Sequence, residues 1–387
     1  MRQAGQFDAA SIMQLDLFSV CICFVLLPEI WINYGVGDIV ADIRAENLNL
    51  CDISGSSALD DAMISKKLEG LDTSKPIQLV PLHDTAAVRK IIAVLLAECE
   101  KRSHPIPRIL ADRDVADSIQ QALPQGSSVQ PLHDTLESPS LVFVAEMEMD
   151  GLFGYETVST RLLRRFGQDE MLAAYTSRRS DVPSPGLDSD GTRIASSFTN
   201  RFDIHGIEIV ANKAGIVDIK TGHPSETASV SDTFRATALQ NVKRHKSAVI
   251  STGKYASNTT LSRSLTSLWN CRNAVSDGGL TLLAAECGHG LGSEAMRWYV
   301  EGRITSRAMR NPAKYIDGME NLLFLLGMGR DSGILLVSTL PEFYVKRLGM
   351  VPVASSSQAL DRILQQCGTR RKILVVPDGA RTLLHAK

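Results

Sequence analysis

The sequence has no Cys-x-x-Cys pair, no Gly-x-Ser-x-Gly nucleophile elbow, no Walker lysine after its glycine-rich stretch, and no apolar run of membrane-spanning length. Each absence excludes a class. Its seven cysteines are odd in number, and apart from Cys21 and Cys23 they are scattered, so no disulfide framework can be drawn and a reducing, cytoplasmic compartment is expected. Aromatic residues make up 5% of the chain, and 41 basic residues face 43 acidic ones without a basic stripe, which argues against a nucleic-acid partner. One stretch, Leu17 to Leu27, suggests a membrane, yet as a helix it would span about 16 Å, roughly half a bilayer core. Asp8 and Asp16 precede it instead of a basic cluster, so no membrane partner is expected, and residues 1–28 read as an N-terminal extension or a misassigned start.

What is present is apolar bulk: 387 residues, 44% of them hydrophobic, are enough for two domains with substantial interiors. Two alternating runs around a glycine-containing turn, Glu29 to Ile43, predict a β-hairpin. Ile77 to Leu82, Ile109 to Ala111, Leu141 to Ala145 and Ile207 to Val210 read as strands, and Ala86 to Cys99 repeats apolar residues at helical spacing. A second series follows at 247–251, 280–285, 333–338 and 372–376. Alternating strand and helix predicts an α/β fold of two domains with mostly parallel sheets and a cleft between them. The boundaries drawn are an N-terminal domain over 29–246, its last part (225–246) a polar, helical connector ending in Lys243-Arg244-His245-Lys246, and a C-terminal domain over 247–387. The stretch from Ser177 to Gly191 reads as a loop. The pentapeptide Pro81-Leu82-His83-Asp84-Thr85 recurs as Pro131-Leu132-His133-Asp134-Thr135, without matching flanks.

The richest stretch runs from Gly278 to Ala295. An apolar strand ends in Cys287-Gly288-His289-Gly290-Leu291-Gly292-Ser293, and an amphipathic segment begins. Strand, glycine turn and helix place His289 at a strand's carboxyl end, where open α/β sheets hold their ligands. His289, with His83 and Asp84 after an earlier strand, are the catalytic candidates. Asp84, Thr85, Gly288, Gly290 and Gly292 are candidates for holding a cofactor or small anion. The bland alternatives are a histidine bonded to its own loop and an aspartate capping a helix. His83, His133 and His289 could meet at strand ends, but no two ligands stand at a diagnostic spacing and no metal site is assigned.

Four landmarks occur in order: Val249-Ile250-Ser251-Thr252-Gly253-Lys254-Tyr255, the Gly278-Gly279 strand with its Gly-His-Gly loop, Leu335-Leu336-Val337-Ser338-Thr339-Leu340-Pro341, and Val375-Val376-Pro377-Asp378-Gly379. Together they resemble the C-terminal domain of the nickel-pincer-dependent lactate racemase family. Ile32 to Gly37, Ile43 to Leu48, Asn212 to Val217 and Thr221 to Pro224 are similar to its first domain. The resemblance implies two α/β domains around a ligand cleft and a nickel-pincer nucleotide tethered to a lysine. In that family the cofactor supplies hydride transfer and histidines handle the hydroxyl proton of a 2-hydroxy acid, so the resemblance implies the same chemistry here.

The residues for that chemistry are replaced. Asp84-Thr85-Ala86-Ala87 keeps the family's Asp and Thr but not its phosphate-binding Arg, and Asp112-Arg113-Asp114-Val115 lacks the first acid/base histidine. Asp150 stands where the resemblance puts the second histidine and Thr160 where it puts the tethering lysine; no lysine occurs between Lys101 and Lys213. Arg263 and Thr266 occupy the places of a substrate-side glutamine and lysine, and Met319 that of a tryptophan. Two readings follow. One is a divergent 2-hydroxy-acid racemase or epimerase, an isomerase if active. The other is a non-catalytic paralogue that binds a small anionic ligand or a protein, as a homo-oligomer or paired with an active paralogue.

Overall fold

The computed structural model describes residues 29–387, apart from positions 52–56, 125–126, 133–135, 137, 139, 179, 181–184, 188, 255 and 332 and the side chains of 329–331. Strands β1 (Glu29–Tyr34) and β2 (Gly37–Asp42) pair antiparallel, as the alternating runs predict. Their turn is tight because Gly35 adopts φ 60°. After β3 (Leu48–Leu50) the chain builds β4 (Gln78–Pro81), β5 (Arg108–Ala111), β6 (Val129–Pro131) and β7 (Leu141–Glu146). A short hairpin of β8 (Glu148–Asp150) and β9 (Gly154–Glu156) precedes β10 (His205–Asn212) and β11 (Gly215–Gly222). Six of these form one sheet in the order β11-β10-β7-β4-β5-β6, parallel except for β11.

The rest of the chain supplies β12 (Leu239–Val242), β13 (His245–Ser251), β14 (Val275–Ala284), β15 (Gly333–Val337), β16 (Val351–Pro352), β17 (Ile373–Val376) and β18 (Leu383–Ala386). The second sheet runs β16-β15-β14-β13-β17-β3, all parallel. Its edge strand β3 comes from the start of the chain. The β1-β2 hairpin lies with the same sheet, burying Ile32 and Ala41 among Val249, Leu282 and Val375. Residues 29–50 therefore sit on the second sheet although they precede the first in sequence. The connector is helical at Pro224–Thr227 and Ser231–Ala238, then ends as β12, paired with β18.

On one side of the first sheet the helix Ala86–Lys101 buries its stripe of Val88, Ile91, Ile92 and Leu95 against Leu79, Ile109, Val142 and Val144. Each such side chain contributes about 1.5–3 kcal/mol on leaving water. The opposite face joins the second sheet in one continuous core, where Phe143, Phe153 and Leu162 meet Ile250, Leu283 and Leu336. Strand order reverses between β4 and β7 in the first sheet and between β13 and β17 in the second. In open α/β sheets the carboxyl ends at such switch points are where ligands are commonly held.

Candidate functional site

His83 follows β4 at the first of these switch points. Its ring is 1% exposed, and Nε2 accepts the backbone N–H of Glu146, at the end of β7, at 3.3 Å. Burial, then the cations Arg161 and Arg263, hold its pKa well below the usual histidine value, so the imidazole is neutral. Its Nδ1 and Glu146 Oε2 are both buried without a hydrogen-bond partner among the described residues.

Asp84 turns to the surface and pairs with Arg89, whose Nε donates to Oδ1 at 2.5 Å. The cap of the helix Ala86–Lys101 is the next residue: Thr85 Oγ1 accepts the N–H of Val88 at 3.2 Å. The capping alternative thus belongs to Thr85, because its hydroxyl, one residue nearer the helix, reaches the third amide.

The strand–glycine turn–helix prediction is realised by β14, the loop 285–293 and the helix Glu294–Val300. His289 is exposed there; its backbone N–H donates to the Thr259 carbonyl at 2.8 Å. Its imidazole makes no hydrogen bond among the described residues. Gly288 is exposed, while Gly290 and Gly292 have φ of 83° and 66°, and a Cβ on Gly292 would collide with Thr260. The loop's glycines thus have a conformational reason of their own. Cys287 is buried in the left-handed region at φ 55°, its Sγ 3.7 Å from Ser264 Oγ, and burial lifts its thiol to about 12. A nucleophilic thiolate is excluded at neutral pH. No hydrogen bond or ion pair joins His83, Asp84 and His289, and no group of three His, Cys, Asp or Glu suited to a metal occurs among the described residues. His133 lies outside them.

A charge network runs along the carboxyl ends of the first sheet and reaches the second unit. The helix Val158–Phe166 begins with a capping box between Thr157 and Thr160 and carries Arg161 and Arg164. Arg161 meets Glu148 at 2.8 Å and Glu156 at 3.1 Å. Arg164 holds Asp150 at 2.9 Å, Glu320 at 2.8 Å and the Tyr315 hydroxyl at 2.9 Å. Since Glu320 opens the helix Met319–Asp331, Arg164 ties the two units together. Arg381 does so from the other side through Glu146 at 2.9 Å. Acids outnumber these cations, and burial raises Glu156, Asp317 to about 6, and Glu208 to about 8. The sequence carries one local sign of this: Glu146, Glu148 and Asp150 alternate at strand spacing.

No protein-family model and no curated protein matches the sequence. Solved structures do match. The lactate racemase apoprotein from Thermoanaerobacterium thermosaccharolyticum superposes with a TM-score of 0.72 over 92% of this chain and 100% of its own, at 17% identity. The fold is lactate racemase-like. A protein from Thermotoga maritima matches with a TM-score of 0.64 at 9% identity, over 86% of this chain and 100% of its own.

On this scaffold the positions that the resemblance assigns to the cofactor do not fit it. Thr160 is fully buried, and its hydroxyl accepts the Thr157 N–H at 2.8 Å and donates to the Thr157 carbonyl at 3.0 Å. It is a capping residue with no amine to form a tether. Asp150 Oδ1 accepts the N–H groups of Leu152 and Phe153, each at 2.7 Å, while Oδ2 takes Arg164. Met319 is buried, with its sulfur 3.2 Å from the Ile316 nitrogen. Among the described residues, no helix is long and apolar enough to cross a membrane.

Proposed function

We propose that this chain is a lactate-racemase-like protein that does not run nickel-pincer racemisation and instead binds a small anionic ligand as a cytoplasmic, non-catalytic paralogue. The observation that carries this reading is the structural use of the replaced positions. Thr160 is spent on a capping box and Asp150 on a turn and an ion pair with Arg164. The second unit takes residues from about 247 onward together with 29–50, and self-association or pairing with an active paralogue belongs to the same reading. The test is expression together with the enzymes that make the pincer cofactor, followed by intact mass, bound nickel and lactate racemisation. An unmodified chain without nickel or turnover is expected; a covalent mass addition with stoichiometric nickel would sink the non-catalytic reading.

A second reading has one observation of its own. His83 is a neutral imidazole whose Nε2 accepts the Glu146 N–H, so its unengaged Nδ1 carries the proton at the switch point, the state of a neutral hydrogen-bond donor to a reacting oxygen. It favours a reaction without nickel in the same cleft, and its signature would be turnover that His83→Gln abolishes.

A further inference from the structure

The opposite end of the second sheet holds a separate cavity. It lies between β13 and β14 on one side and the helices Leu261–Cys271 and Met319–Asp331 on the other, with a volume of about 170 Å³. Two arginines line it. Arg244 comes from the basic run just before β13, and Arg272 from the 3-10 turn that ends the helix Leu261–Cys271. Neither guanidinium has an ion pair or side-chain hydrogen bond among the described residues. An unengaged guanidinium presents a planar fork of donors that matches a carboxylate.

The remaining lining narrows the class of occupant. Asp277 is the single carboxylate, so the walls carry one net positive charge, which suits a monoanion better than a dianion. Asn273 and the buried Thr281 add an amide and a hydroxyl, while Ile250, Leu268 and Met328 close the floor as almost fully buried side chains, so the accessible walls are mostly polar. The register of β13 against β14 jumps from His245–Val275 to Ser247–Leu280, and a Cβ on Gly279 would stand only 2.7 Å from the Lys246 carbonyl oxygen. Such an irregularity kinks the bulged strand at the start of the pair, and Gly279 lets the two backbones approach closely there.

We propose that this cavity binds a small organic monocarboxylate, with its carboxylate held by Arg244 and Arg272. The cavity shares no residue with the charge network, so its occupancy does not depend on what the cleft does. Titrating the full chain with sodium butyrate, against sodium chloride at matched ionic strength, should raise the melting temperature in a saturable way. Arg244→Met and Arg272→Met should each raise the half-saturating butyrate concentration about tenfold or more. Arg244 is exposed, so its variant retains the fold and decides the matter even where the other does not. A melting temperature that does not respond, a response unchanged in the variants, or an equal response to inorganic phosphate would each overturn the assignment.

Discussion

Replacing Glu208 by glutamine should remove a large part of the protein's sensitivity to alkaline pH. Glu208 is 0% exposed on β10; one carboxylate oxygen accepts the Val158 N–H at 3.0 Å and the other has no partner among the described residues. Burial raises its pKa from 4.5 to about 8, against the weaker opposing pull of that N–H and of Arg161. Between those two values the native protein keeps a proton that the unfolded chain has released. Stability is therefore fully present below the unfolded pKa and is lost as pH rises through the folded one, by about 1.4 kcal/mol per unit. Over the interval from about pH 6 to pH 8 the loss is about 2 kcal/mol, allowing for partial ionisation of the native state near its midpoint. Urea unfolding followed by tryptophan fluorescence at a series of pH values measures it. A glutamine side chain has the same shape and no proton to lose, so the stability of Glu208→Gln relative to wild type should grow by that amount across the interval. Parallel curves for the two proteins would show that Glu208 ionises normally and that the reasoning from burial is wrong.

Other consequences follow from the same geometry. Arg164→Met leaves Asp150 and Glu320 buried without their cation and should cost about 3–5 kcal/mol in urea unfolding, with part recovered by adding Glu320→Gln; a loss below about 1 kcal/mol would mean the pair across the two units contributes little. With its thiol raised to about 12, Cys287 should resist a maleimide on the native protein at pH 8, while the half-buried Cys367 reacts, as peptide mapping would show. Rapid labelling of Cys287 would contradict the buried environment assigned to it.

Much of the scaffold is legible in sequence because its signals are local. The β1-β2 hairpin shows as alternation around Gly35, and the helix Ala86–Lys101 as a stripe of Val88, Ile91, Ile92 and Leu95. The parallel strands show as short apolar runs between helical stretches. Pairings between distant segments have no such mark. Nothing in Leu48–Leu50 announces that it will border Ile373–Val375, and the end of the connector becomes a strand only because Leu383–Ala386 arrives beside it. The glycine loop has the pattern of a site signature, yet Gly292 is required by its approach to Thr260, and His289 faces solvent. Conversely, Arg161 and Arg164 look like the polar face of an ordinary amphipathic helix. Their importance depends on Glu148, Asp150, Glu156 and Glu320, which come from three other segments, and only the fold brings them together. A choice of cap between adjacent Asp84 and Thr85 also lies below what residue type alone decides, since both are good capping residues.

The measurement closest to the central claim is the intact mass of the chain made together with the pincer-cofactor enzymes, with nickel counted in the same sample. Thr160, a buried capping residue at the position where the resemblance puts the tethering lysine, predicts the mass of the unmodified sequence and no stoichiometric nickel. A chain that gains the mass of the nucleotide and one nickel per molecule would contradict it.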